Sequence, residues 1–103
     1  GKIPAQKVYE DEQILAFEDI RPQARVHVLV IPKKHIAGFQ DLSEEDASLM
    51  GHLSVKLPSI AALKGIQAYR LIVNCGKEAG QEVFHLHWHL LGGESLGKML
   101  CIR

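Results

Sequence analysis

Phe84-His85-Leu86-His87-Trp88-His89-Leu90-Leu91 places three of the chain's six histidines within five positions. Along an extended strand successive side chains alternate faces, so His85, His87 and His89 share one face and Phe84, Leu86, Trp88 and Leu90 the other. The second set is wholly apolar and demands burial. A helix would turn each two-residue step by about 200° and scatter the imidazoles. The stretch therefore predicts a strand from Phe84 to Leu91 with a hydrophobic back and an imidazole-rich front, ended by Gly92-Gly93.

Upstream, Tyr69 to Asn74 predicts another strand, joined to the first by a loop from Cys75 to Gln81. Gly76 and Gly80 in that loop permit turns that aim N–H groups at an anion, and Lys77 adds positive charge. Ser43 to Lys64 predicts a helix. Ser43 and Asp46 form a capping-box pattern, Glu44, Glu45 and Asp46 suit the helix N-terminus, and Gly65 ends the segment. Leu49, Met50, Leu53, Leu57, Ile60 and Ala61 recur at helical spacing as one buried stripe. Pro58 removes a backbone donor and predicts a kink near Ser54. Toward the N-terminus, Val8 to Glu10 and Ile14 to Glu18 suit a hairpin across Asp11-Glu12-Gln13. Val26 to Ile31 suits a third strand, stopped by Pro32. Five strands and one substantial helix, mostly without βαβ alternation, predict an α+β domain around an antiparallel sheet.

At 103 residues the chain is sized for a single domain. Its 47% apolar and 23% charged residues suit a globular protein and exclude a disordered tail or a collagen-like rod. Twelve basic against twelve acidic residues, with a pI near 7.2, argue against a protein that coats nucleic acid or anionic membrane. The largely apolar run Val26 to Pro32 is far too short to span a bilayer. With no basic-then-apolar opening and only Cys75 and Cys101, which do not read as a disulfide framework, the expected compartment is the cytoplasm.

Three imidazoles in a row admit several chemistries. His-X-His on a strand can present two ligands to zinc or iron, with Glu82, Asp19 or His27 completing the set. Without metal, neighbouring rings can divide the work of nucleophile, acid and orienting group, because histidine titrates near neutral pH. The row could also be plain surface. His27, among Val26, Val28, Leu29, Val30 and Ile31, joins the candidates because an apolar strand offers it little else to do. His35 and His52 are expected to be solvated or capping, and Cys75 a small buried hydrophobe.

The segment His85-Leu86-His87-Trp88-His89-Leu90-Leu91 resembles the HxHxHxx signature of the histidine-triad (HIT) family. The likeness extends to Tyr9-Glu10-Asp11, to Phe17-Glu18-Asp19-Ile20-Arg21-Pro22-Gln23-Ala24 and to Val26 through Ile36. It continues through Tyr69 to Asn74, Ala79-Gly80-Gln81-Glu82-Val83-Phe84 and Gly92-Gly93. It is similar to the Hint branch, the adenosine phosphoramidases. The resemblance implies a single HIT domain over residues 1–103 and a homodimer whose two five-stranded sheets join into one of ten strands. It also implies hydrolysis of purine nucleoside 5′-phosphoramidates, AMP or GMP derivatives, without metal or other cofactor. His87 would be the nucleophile that becomes nucleotidylated. His85 and His89 would position phosphate or move protons, and His27 would face the same site. Asp19 would hold the ribose hydroxyls, and Phe17 and Ile20 would line the base pocket. Leu29 joins the substrate-binding set, and Asn74 with the backbone of Gly80, Gln81, Glu82 and Val83 would contact phosphate. Glu82 departs from a serine carried by several relatives. Relatives also have a strand-forming lead before Gly1-Lys2-Ile3-Pro4, sometimes with zinc-associated cysteines, so this chain is expected to begin late. Two other classes stay open: a non-enzymatic nucleotide- or partner-binding protein, and a metal-dependent enzyme.

Overall fold

Asp11 turns the first two strands back on each other. Its Oδ1 accepts the N–H groups of Gln13 at 2.8 Å and Ile14 at 2.9 Å, and its own N–H donates to the Ile14 carbonyl at 3.0 Å. This self-made turn joins β1 (Lys7–Glu10) and β2 (Ile14–Glu18) as an antiparallel hairpin. β3 (Val26–Pro32) pairs with the other edge of β2, from Ile14 opposite Pro32 to Glu18 opposite Val28. β4 (Tyr69–Ile72) and β5 (Trp88–Gly92) complete a five-stranded antiparallel sheet in the order β1-β2-β3-β5-β4. The computed structural model describes residues 6–100. The expected late start and Cys101 lie outside the described residues.

α1 (Ala47–Leu63) follows a single 3₁₀ turn at Glu44–Asp46. The Ser43 N–H donates to Asp46 Oδ2 at 3.1 Å, as the capping pattern predicts. At the other end Gly65 takes φ +74°. Its N–H reaches the Ala62 carbonyl, and the Ile66 N–H reaches that of Ala61. This paired closure needs a left-handed residue, which glycine supplies without steric cost. α1 runs through Pro58, so the proline does not end it. Pro58 and Ser54 both lie on the exposed side, where a carbonyl freed of its N–H partner is open to water.

The stripe Leu53, Leu57, Ile60 and Ala61 packs onto Ile14, Ala16, Val28, Val30, Leu86, Trp88 and Leu90, with Leu49 and Met50 at its margin. Full burial of one such large side chain stabilises by about 1.5–3 kcal/mol. The helix thus covers one face of the sheet, and strand alternation puts Phe17, His27, Leu29 and His89 on the other.

Four expectations need correction. β4 ends at Ile72, short of Asn74, and β5 begins at Trp88, not at Phe84. The pairing of Val30 with Trp88 would next set Pro32 against Leu86, but proline has no N–H to continue the ladder. Leu86 instead donates its N–H to the Ile36 carbonyl beyond the strand. Phe84, outside the alternation, is 50% exposed, while Leu86, Trp88 and Leu90 are buried. His52 is only partly solvated and is no cap: its Nε2 lies 2.7 Å from Asp11 Oδ2 and ties α1 to the first hairpin. Cys75 is exposed.

Candidate active site

β3 and β5 lie side by side with Leu29 opposite His89 and His27 opposite Leu91. This register sets His27 and His89 diagonally on the face away from α1, within reach of each other. His27 Nε2 is 2.9 Å from His89 Nδ1 and 3.5 Å from Asp19 Oδ2. The protons on this pair are assigned by a backbone group. Gln23 N–H donates to His27 Nδ1 at 3.0 Å, so the single proton of a neutral His27 sits on Nε2. His27 Nε2–H then donates to His89 Nδ1, and the proton of His89 is left on Nε2. Burial lowers the pKa of His27, with Asp19 opposing the effect. Burial also pushes His89 down to about 4, helped by the neighbouring His87 and His27. Both rings are therefore neutral at pH 7, as the chain of donors requires.

His87 stands in the extended lead into β5. Its Nδ1–H donates to the backbone carbonyl of His85 at 2.7 Å, which leaves the lone pair on Nε2. Its ring centroid is 5.0 Å from that of His89. The side chain of His85 turns elsewhere: Nε2–H donates to the Pro32 carbonyl at 2.8 Å, and His35 stands edge-on against its ring, centroids 5.2 Å apart. The single row of three imidazoles that the alternation predicts is thus not formed. His87, His89 and His27 are brought together, and His85 serves the cluster through its carbonyl.

Asp19 sits at the end of β2. Its N–H donates to the His27 carbonyl, Oδ1 accepts the Arg21 N–H at 2.8 Å, and Oδ2 faces His27. Phe17 and Leu29 are half-buried beside these groups, and Ile20 is 64% exposed at the rim.

The loop before the histidines uses its glycines differently from expectation. Gly76 N–H goes to Gln81 Oε1 and Gly80 N–H to the Lys77 carbonyl, so neither is free for an anion. Gly80, at φ +104°, closes the 3₁₀ turn Lys77–Ala79, and a side chain at that position would touch that of Asn74. Among the described residues the backbone N–H groups of Glu82 and Val83 carry no protein partner. Both residues are exposed, whereas the Gln81 side chain is turned inward.

Ligand atoms of Asp19, His27 and His89 lie within 4.8 Å of one another, a spacing a metal ion could bridge. The donor set fits one poorly. Ligation by His27 Nε2 would move the ring proton to Nδ1, directly against the Gln23 N–H. Gln23 escapes sequence reading because it acts through its backbone. His35, beside Lys33-Lys34, likewise carries no signal that it meets His85.

The HIT domain profile matches residues 1–96. An uncharacterized HIT-like protein of Synechococcus elongatus is 51% identical over 96 residues, 92% of this chain and 84% of that protein. The chain belongs to the HIT family. The crystal structure of a HIT family hydrolase from Legionella pneumophila superposes with a TM-score of 0.88 at 46% identity, covering 92% of this chain and 87% of that one. A HIT family hydrolase from Clostridium thermocellum gives 0.90 at 48% identity, covering 95% and 88%. The five-stranded antiparallel sheet with one main helix is the HIT fold. No helix among the described residues is long and apolar enough to cross a membrane.

Proposed function

We propose that this HIT protein is a hydrolase of the Hint type, cleaving the P–N bond of purine nucleoside 5′-phosphoramidates. The similarity to HIT family hydrolases supports hydrolysis. The observation that carries the reading is the state of His87, whose Nδ1–H is held by the His85 carbonyl while Nε2 keeps its lone pair beside His89. Nε2 attacks the α-phosphorus and forms a P–N bond. The bond to the substrate amine breaks as the amine nitrogen takes a proton from solvent, and the neutral amine leaves. The Nδ1–H bond to His85 stabilises the positive nucleotidyl-imidazolium. Water then attacks phosphorus and gives up a proton to solvent, the P–N bond to His87 breaks, and AMP is released with His87 again neutral.

With a pKa of about 4, His89 acts as a neutral donor. Its Nε2–H and the N–H groups of Glu82 and Val83 stabilise the charge on the phosphate oxygens, with Asn74 beside them. Phe17, Leu29 and Ile20 take the base, and Asp19 takes the ribose. The sheet edge at β4, where Leu71 and Ile72 are partly exposed, would pair with a second copy to give a homodimer. A monomer in sedimentation at micromolar concentration would defeat that assembly. The activity is tested by incubating the protein with an adenosine phosphoramidate, with and without EDTA. AMP release in both is expected. Release abolished by EDTA, or AMP binding without release, would overturn the reading.

A further inference from the structure

Gln81 is 3% exposed, and no step above uses its side chain. The amide is nonetheless almost fully bonded. Oε1 accepts the Gly76 N–H at 2.9 Å, and Nε2 donates to the carbonyls of Ala37 at 2.8 Å and Val83 at 3.2 Å. The Gln81 N–H also returns to the Gly76 carbonyl at 3.0 Å, so residues 76 and 81 exchange two bonds and close the loop into a ring. The bonds run in one sense only. A flipped amide would set two N–H groups against each other and an oxygen against two carbonyls. One side chain thus joins the start of the loop, the segment beyond β3 and Val83, which leads into the histidines.

We propose that Gln81 is a positioning residue that holds the Glu82–Val83 backbone at a set distance from His87, so that its N–H groups, without a partner among the described residues, meet the phosphate. This rests on the phosphoramidase reading. Gln81 touches no substrate through its side chain; it acts on the donors of its neighbours. A carboxyl of the same shape would test the sense of the bonds. Protonated, it can donate to one carbonyl and accept from Gly76. Ionised, it confronts both carbonyls, and that confrontation favours the protonated form at higher pH than usual.

The experiment compares the full chain with Gln81→Glu and Gln81→Met. It measures kcat, KM and AMP affinity from pH 5 to 8.5, thermal midpoints, and amide exchange by NMR. Gln81→Met is expected to lose about tenfold or more in kcat/KM and to speed Gly76 exchange by a similar factor, since it removes the partner of the Gly76 N–H and of the Ala37 and Val83 carbonyls. For Gln81→Glu, activity relative to wild type is expected to fall about tenfold between pH 5 and 8. Variants with lowered thermal midpoints but wild-type kcat/KM at every pH would show a purely structural role and overturn the proposal. If the variants fail to fold, the wild type decides alone: a Gly76 amide that exchanges like an open loop overturns the clamp, and a protected one supports it. A wild type that binds AMP without turnover refutes the proposed function, and AMP affinity then reads the clamp.

Discussion

Replacing His27 by Phe isolates the device that sets the protons of the site. Phenylalanine keeps a planar ring at a position 3% exposed but offers neither an acceptor to Gln23 N–H nor a donor to His89 Nδ1. The backbone of exposed Gln23 can turn to water, so the main loss falls on His89. A neutral hydrogen bond contributes about 0.5–1.5 kcal/mol, which as transition-state stabilisation becomes roughly a 2- to 12-fold fall in kcat/KM. Removing a residue that itself transfers a proton would cost far more, roughly 10²–10⁴-fold. Steady-state kinetics on an adenosine phosphoramidate, with ¹⁵N NMR of the His89 ring, reads both quantities. The wild type is expected to show a bare Nδ1 and a protonated Nε2 on His89, and the variant a mixture of tautomers with a modest rate loss. A wild-type His89 protonated on Nδ1, or a thousandfold loss in His27→Phe, would refute the assignment.

His87→Asn is expected to lower turnover by on the order of 10⁴-fold or more while AMP still binds; trapped nucleotide on His85 or His89 would contradict the choice of nucleophile. Asp19→Asn is expected to erase a preference for AMP over 2′-deoxy-AMP, which one charge-assisted bond would set at roughly 10- to 150-fold. A preference fully retained in the variant would free Asp19 from reading the ribose. For stability, the unfolded chain protonates His89 near its ordinary value of about 6.5, whereas the folded site holds it at about 4. Between those values the unfolded state binds more protons, so this contribution is complete above pH 6.5 and is lost as pH falls toward 4. Urea midpoints should therefore decline across that window and decline less in His89→Gln; equal slopes would show that His89 is not held neutral.

The element order, the helical stripe from Leu49 to Ala61 and the buried Leu86, Trp88 and Leu90 were legible in the sequence, because periodicity is a local property that burial then obeys. The family was legible for a similar reason, since its motif is a contiguous string around His87. What the tertiary structure alone decided is which groups meet. His27 and His89, 62 residues apart, touch because Leu29 stands opposite His89 in the ladder, and register depends on long-range pairing. The strand stops at Trp88 because Pro32 arrives opposite Leu86 without an N–H, and the His85 ring turns to the Pro32 carbonyl and His35, away from His87 and His89. Alternation within the stretch could not foresee it, for a side chain's face is set by its own strand only while that strand has a partner. Backbone donors are silent in a sequence as well. Every residue but proline carries one, and only the folded chain shows that Gln23 spends its N–H on His27, while Gly76 and Gly80 spend theirs inside their own loop.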